Sequence, residues 1–180
     1  MRPPIESIEV YVDVAAEQAV RSMWSLLADQ RLSSLAHGEH TPHITLVAAP
    51  HTGGLLRDQC AHDVTWATEL LGTSLVFPGI GLFPGARHVM YAAVAPARQL
   101  LDAHAACYDQ MQRAHINMFD TSVPDRWTPH CTLAKRVRPE DVTLAMQALG
   151  SCTWPIEAQI TRVIHWDGDA RTVTVLSEHS

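Results

Sequence analysis

The segment Thr41-Pro42-His43-Ile44-Thr45-Leu46 recurs as Thr128-Pro129-His130-Cys131-Thr132-Leu133, 87 positions later. Five of the six positions are identical. These residue types suit proton transfer. An unperturbed imidazole titrates near pH 6.5 (about neutral), so one His can accept a proton while another donates one. A lone H-x-T carries little weight: with 11 His in 180 residues, about one such triplet with Thr arises by chance. A repeated hexapeptide, each copy heading a strand, is far more specific and suggests two related halves.

On a strand, side chains at i and i+2 share a face. His43 therefore projects with Thr45, and His130 with Thr132. Two such strands side by side about a pseudo-two-fold axis would bring both pairs into one groove. The threonine hydroxyls can hydrogen-bond an anion held there. Such a constellation suits phosphodiester chemistry, in which one His takes a proton from water or a ribose hydroxyl and the other protonates the leaving oxygen. Neither a nucleophilic Ser or Cys nor a metal is required.

The elements that must position these groups follow from periodicity. Ile8 to Val14 reads as an opening strand. Ala15 to Leu35 reads as a helix, with Val20, Met23, Trp24 and Leu27 on one stripe. Thr41-Pro42 sets an extended entry to a strand over 43–49. A helix is expected over 55–71, closed by Gly72. Strands are expected over 74–83 and 88–95, joined by the tight Phe83-Pro-Gly-Ala-Arg87 connection. Pro96 opens a further helix, and residues 114–126 read as loop. His130 to Val137 is a strand, Pro139-Glu-Asp begins a helix, and 156–166 with 172–176 form a closing hairpin. This mixture with short strand links predicts an α+β fold, with largely antiparallel sheets and helices on one face. No low-complexity linker divides it, so a single domain over 1–180 is expected.

Composition limits the functional classes. With 47% apolar and 18% charged residues, the chain can bury a core and is not a disordered segment. A net charge of −6 argues against gripping long duplex nucleic acid through its phosphates. Cys60, Cys107, Cys131 and Cys152 form no C-x-x-C pair and read as free thiols. The absence of a membrane-length apolar run or a signal-peptide stretch gives the expectation of a cytoplasmic protein without membrane contact.

The chain resembles the 2H phosphoesterase superfamily, which includes 2′-5′ RNA ligase-like proteins and 2′,3′-cyclic phosphodiesterases. His43-Ile44-Thr45 and His130-Cys131-Thr132 match its paired H-x-[ST] signature. Arg126 to Lys135 resembles its second motif segment. Gly79 to Phe83 with Arg87 to Tyr91 resembles its middle hairpin. The resemblance implies a bilobal duplicated fold around a central cleft, each lobe contributing one motif, with His43 and His130 catalytic. It also implies a small nucleotide or RNA terminus as substrate, with no cofactor. Lys135 stands where ligase-like members tend to carry Arg, and Cys131 where a larger apolar residue is usual. The reading is completed by the expectation of a monomer.

Further candidates surround the motifs. Thr45 and Thr132 are expected to bind the substrate phosphate. Strand alternation after Thr132 puts Arg136 and Arg138 on the groove side, where a cation can hold phosphate, and Lys135 on the other. The resemblance places Arg87 near the cleft as a second phosphate-binding cation. Trp127, Phe83 and Tyr91 can stack a base, although each also suits a core. His37, His40, His43, His51 and His62 suggest a rival metal site, but no Cys or carboxylate completes a recognised ligand spacing, and no metal is expected. A third reading is a nucleotide-binding module without catalysis, because fold does not fix function.

Overall fold

The computed structural model describes residues 4–36, 38 and 40–179. Eight strands and five helices follow the chain as β1 (Ile5–Val12), α1 (Val14–Asp29), β2 (His43–Pro50), α2 (Leu55–His62), α3 (Thr65–Leu70), β3 (Ser74–Phe77), β4 (Gly79–Phe83), β5 (His88–Ala93), α4 (Arg98–Arg113), β6 (His130–Val137), α5 (Val142–Gly150), β7 (Ile156–Asp167) and β8 (Thr172–Glu178). The fold is α+β and its strand pairs are antiparallel. Their order is β3-β7-β1-β2-β6-β5-β4, with β8 also on β7. β2 and β6 meet through one register pair, Ile44 with Cys131. That thin seam separates β1, β2, β3, β7 and β8 from β4, β5 and β6. Among the described residues, no helix is long and apolar enough to cross a membrane.

Local chemistry sets the boundaries. The Asp13 carboxylate accepts from the Ala15 and Ala16 N–H groups at 3.0 and 3.1 Å and caps α1. Ala16, Val20, Met23, Trp24 and Leu27 form its buried stripe. The expected helix to Leu35 stops at Asp29. Arg31 turns to φ +58°, and the Leu32 N–H reaches back to the Leu27 carbonyl at 2.9 Å. Such a left-handed exit ends a helix despite apolar residues beyond it.

The single helix expected over 55–71 is two. Asp63 is extended between α2 and α3, and its carboxylate accepts from the Thr65 N–H at 3.0 Å. The single strand expected over 74–83 is also two. Pro78 has no N–H for a ladder, and the chain changes partner there: β3 pairs with β7, whereas β4 pairs with β5. Phe77, Leu27, Leu46, Met90, Met111 and Leu133 are among the fully buried large side chains beneath the sheet.

Candidate active site

Thr41-Pro42 and Thr128-Pro129 each deliver an extended chain into a strand, and the two histidines start β2 and β6. Each ring is pinned in the same way. His43 Nδ1 lies 2.7 Å from the Thr41 carbonyl oxygen, and His130 Nδ1 lies 2.7 Å from that of Thr128. A carbonyl can only accept, so Nδ1 carries the hydrogen on both rings and Nε2 is the nitrogen left to take or give a proton. A cavity of about 510 Å³ is lined by both histidines, by Thr45 and Thr132, and by Phe83, Trp127, Arg126 and Lys135.

The threonines are braced reciprocally. The Trp127 indole N–H donates to the Thr45 carbonyl at 2.9 Å, while that of Trp24 donates to the Thr132 carbonyl at 3.0 Å. Each brace crosses the seam between the two sets of strands. Trp127 is itself stacked on His104, with centroids 3.9 Å apart. Burial pushes the His104 imidazole down to about 4, against the opposing effect of the Ser122 carbonyl. It is therefore neutral near pH 7, and its Nε2–H donates to that carbonyl at 3.0 Å.

Both motif strands break their alternation three residues after the histidine. Glu9 pairs with Thr45 but Ile8 with Val47, skipping Leu46. Tyr91 pairs with Thr132 but Met90 with Ala134, skipping Leu133. These bulges bury two consecutive residues, Leu46-Val47 and Leu133-Ala134. They also switch the face on which the next residues of each strand project. Lys135, not Arg136, lines the cavity. Arg136 is exposed at φ +60°, and Arg138 is paired with Asp141 at 2.7 and 2.8 Å. Plain alternation puts Arg136 and Arg138 on the groove side; the bulge turns Arg136 away from it, and Arg138 lies beyond the end of β6.

The remaining candidates divide. Phe83 lines the cavity and meets the His130 ring edge-on at 4.9 Å. Tyr91 is not among the lining residues; it stacks on Phe83 at 4.2 Å and abuts His130 at 5.2 Å. A Cβ on Gly81 would collide with the Tyr91 ring, so glycine there makes room for this aromatic group. Arg87 is exposed and outside the cavity lining, and its charge instead acts on Asp141.

Burial pushes the His130 imidazole below its ordinary 6.5. Its bond to the Thr128 carbonyl opposes that effect, while the positive charges of His43 and Lys135 add to it.

Two groups, one lining the cleft and one behind it, are not singled out by the sequence pattern. Arg126 lines the cavity, 3.4 Å from an Asp120 carboxylate oxygen. Its only signal in the sequence is membership of the second motif segment. Glu9 is 5% exposed, with Oε2 lying 3.6 Å from His43 Nδ1. The signal for Glu9 is an acid within the apolar run Ile8 to Val14.

The rival histidine cluster does not assemble among the described residues, and His37 lies outside them. His40 and His43 have rings 6.0 Å apart. His51 instead joins Glu6 and Asp167, at 3.4 and 3.6 Å. The ligand atoms of these three lie within 4.8 Å of one another, close enough to hold an ion. The facing oxygens are already occupied. That of Glu6 accepts from the Thr52 and Gly54 N–H groups, and that of Asp167 from the Asp169 and Ala170 N–H groups.

Comparison with known proteins agrees with this architecture. No curated protein sequence matches the chain. Escherichia coli LigT in apo form superposes with a TM-score of 0.62 at 13% identity, covering 99% of this chain and 98% of that one. A Thermus thermophilus protein gives 0.60 at 18% identity, covering 98% and 97%. The MHV ns2 PDE domain gives 0.54 at 12% identity, covering 87% and 97%. Likeness at these identities is a likeness of fold. The model of the 2′-5′ RNA ligase superfamily matches residues 11–172, and the chain belongs to that superfamily, among the 2H phosphoesterases.

Proposed function

We propose that the protein is a metal-independent phosphoesterase acting on 2′,3′-cyclic phosphate or 2′-5′ phosphodiester bonds of nucleotides or RNA ends. One observation carries this reading: two His-Thr pairs line one cavity, and each imidazole is held in the same tautomer by a backbone carbonyl. In the hydrolytic step, Nε2 of His130 takes a proton from water while the water oxygen attacks phosphorus. The bond from phosphorus to the ribose oxygen breaks, and Nε2 of His43 gives that oxygen a proton. A phosphomonoester results, and the two rings exchange roles in the reverse direction. The direction of the His130 shift supports its role as base, since the ring is neutral at neutral pH. Thr45, Thr132, Lys135 and Arg126 supply donors and positive charge for the phosphate. Each set of strands contributes one motif, as in a duplicated fold. Solved structures of E. coli LigT with 3′-AMP and with ATP favour a small nucleotide as the ligand class.

The test is a panel of 2′,3′-cyclic and 2′-5′-linked substrates, with the product isomer identified. Turnover is expected to survive exhaustive chelation, because two imidazoles supply acid and base without an ion. Loss in EDTA with recovery on zinc or manganese would overturn the scheme. Binding that depends on the histidines, without turnover of any substrate, would identify a binding module instead.

The rate is expected to be bell-shaped in pH. The base must be neutral, and His130 gains its proton below pH 6.5, so the acidic limb is expected below that value. A profile flat from about pH 5 to 8 contradicts paired-histidine catalysis.

A further inference from the structure

The two motifs match, but the residues standing behind them differ. Across the ladder, Thr45 faces Glu9 and His43 faces Tyr11. The corresponding neighbours in the other half are Tyr91 opposite Thr132 and Ala93 opposite His130. Glu9 is 5% exposed and lies 3.6 Å from His43 Nδ1. The Ser7 hydroxyl donates to its other oxygen at 2.6 Å, fixing the carboxylate. The His130 ring meets Phe83 and Tyr91 instead, and no described carboxylate makes an ion pair with it. A buried carboxylate is retained where it has hydrogen bonds and a positive partner.

We infer that Glu9, held by Ser7, is a positioning residue that makes the two imidazoles unequal: it steadies the positive charge on His43 while that ring holds the proton destined for the leaving oxygen. This rests on the phosphoesterase reading above and adds an origin for the division of labour. Glu9 does not touch the cavity and acts through His43.

The groups facing this pair come from every neighbouring element. β1 supplies Ser7 and Tyr11, whose hydroxyl burial and Glu9 push up to about 12. Glu17 of α1 and Arg162 of β7 also act on Tyr11. The chain entering β2 supplies Thr41 and His40. β6 supplies His130, Lys135 and Cys131, whose thiol burial pushes up to about 12. Tyr11 and Cys131 therefore stay neutral across the working range. His40, His43 and His130 are the imidazoles among these groups.

Glu9→Gln tests the inference, because it keeps shape and hydrogen bonding while removing charge. On the substrate the panel identifies, kcat is expected to fall about tenfold with KM nearly unchanged, and the alkaline limb of the rate profile to move about one unit to lower pH. Glu9→Asp, which restores the charge, is expected to recover most of the loss. NMR titration of the His43 ring supplies a readout independent of turnover: the ring is expected to lose its proton about one unit earlier in Glu9→Gln than in the parent protein. An unchanged ring titration would overturn the inference, whatever the activity. So would equal losses in the Gln and Asp variants with the limb in place, the mark of a structural role alone. If the ring titration moves but the parent protein turns over nothing in the panel, the phosphoesterase reading fails while the charge coupling stands.

Discussion

His43→Ala and His130→Ala are each expected to slow hydrolysis of a cyclic phosphodiester by about 10²–10⁴, the range for one general acid or base. Their double variant should fall by less than the product of the two losses, because acid and base act in one transition state. The loss should separate from stability most cleanly at His130. Each ring makes one hydrogen bond to a carbonyl two residues earlier, worth about 1 kcal/mol, but His43→Ala also takes the positive partner from buried Glu9 and should cost more stability. Steady-state kinetics beside urea denaturation checks both statements. Parent-like turnover in either variant would remove that histidine from the mechanism. Thr45→Val and Thr132→Val should fold normally and weaken phosphate contact, because each braced backbone carbonyl is retained.

Glu6→Ala is expected to destabilise the fold by about 3–5 kcal/mol, the usual cost of removing one partner from a buried charged network. Glu6 is fully buried on β1. Its carboxylate accepts from the Thr52 N–H at 2.9 Å, the Thr52 hydroxyl at 2.7 Å and the Gly54 N–H at 3.1 Å, with His165 Nε2 at 3.3 Å. The substitution would strand those donors between β1, β7 and the turn after β2. Burial alone would raise the Glu6 carboxyl; the Thr52, Gly54 and His165 bonds outweigh it and leave the group below its ordinary 4.5. A carboxyl lowered by folding contributes stability above its unfolded value and loses it as pH falls through the folded one. The parent protein should therefore lose this contribution below about pH 4.5, whereas Glu6→Ala should show a flatter acid dependence. Equal urea midpoints for the two proteins at pH 7 would refute the assignment.

The motif histidines are legible because a repeated hexapeptide opening with Thr-Pro needs no long-range information to be recognised. The cations are less so. Reading Lys135 and Arg136 requires knowing that Leu133 and Ala134 are both buried, and a bulge depends on the partner strand rather than on local sequence. Glu9 is hidden for a related reason: only the pairing of β1 with β2 brings it beside His43. Trp24 is legible as a core residue of α1, but its indole bond to Thr132 spans 108 residues of chain. The split at Pro78 is available in principle, since proline marks a strand boundary. What no local pattern carries is the change of partner strands there.

The strand order also sets a timetable. β4, β5 and β6 are close in sequence, so the strands around His130 can pair once residue 137 has left the ribosome. β1, which backs His43, is flanked on its other side by β7, beginning at Ile156. A chain emerging from the ribosome can therefore seat one imidazole early, but it must wait for its last strands to finish the sheet behind the other. Closing that distance pairs β1 with β7, the slower kind of event when contacts are far apart in sequence. The seam at Ile44 and Cys131 is where a half built early and a half completed late are joined.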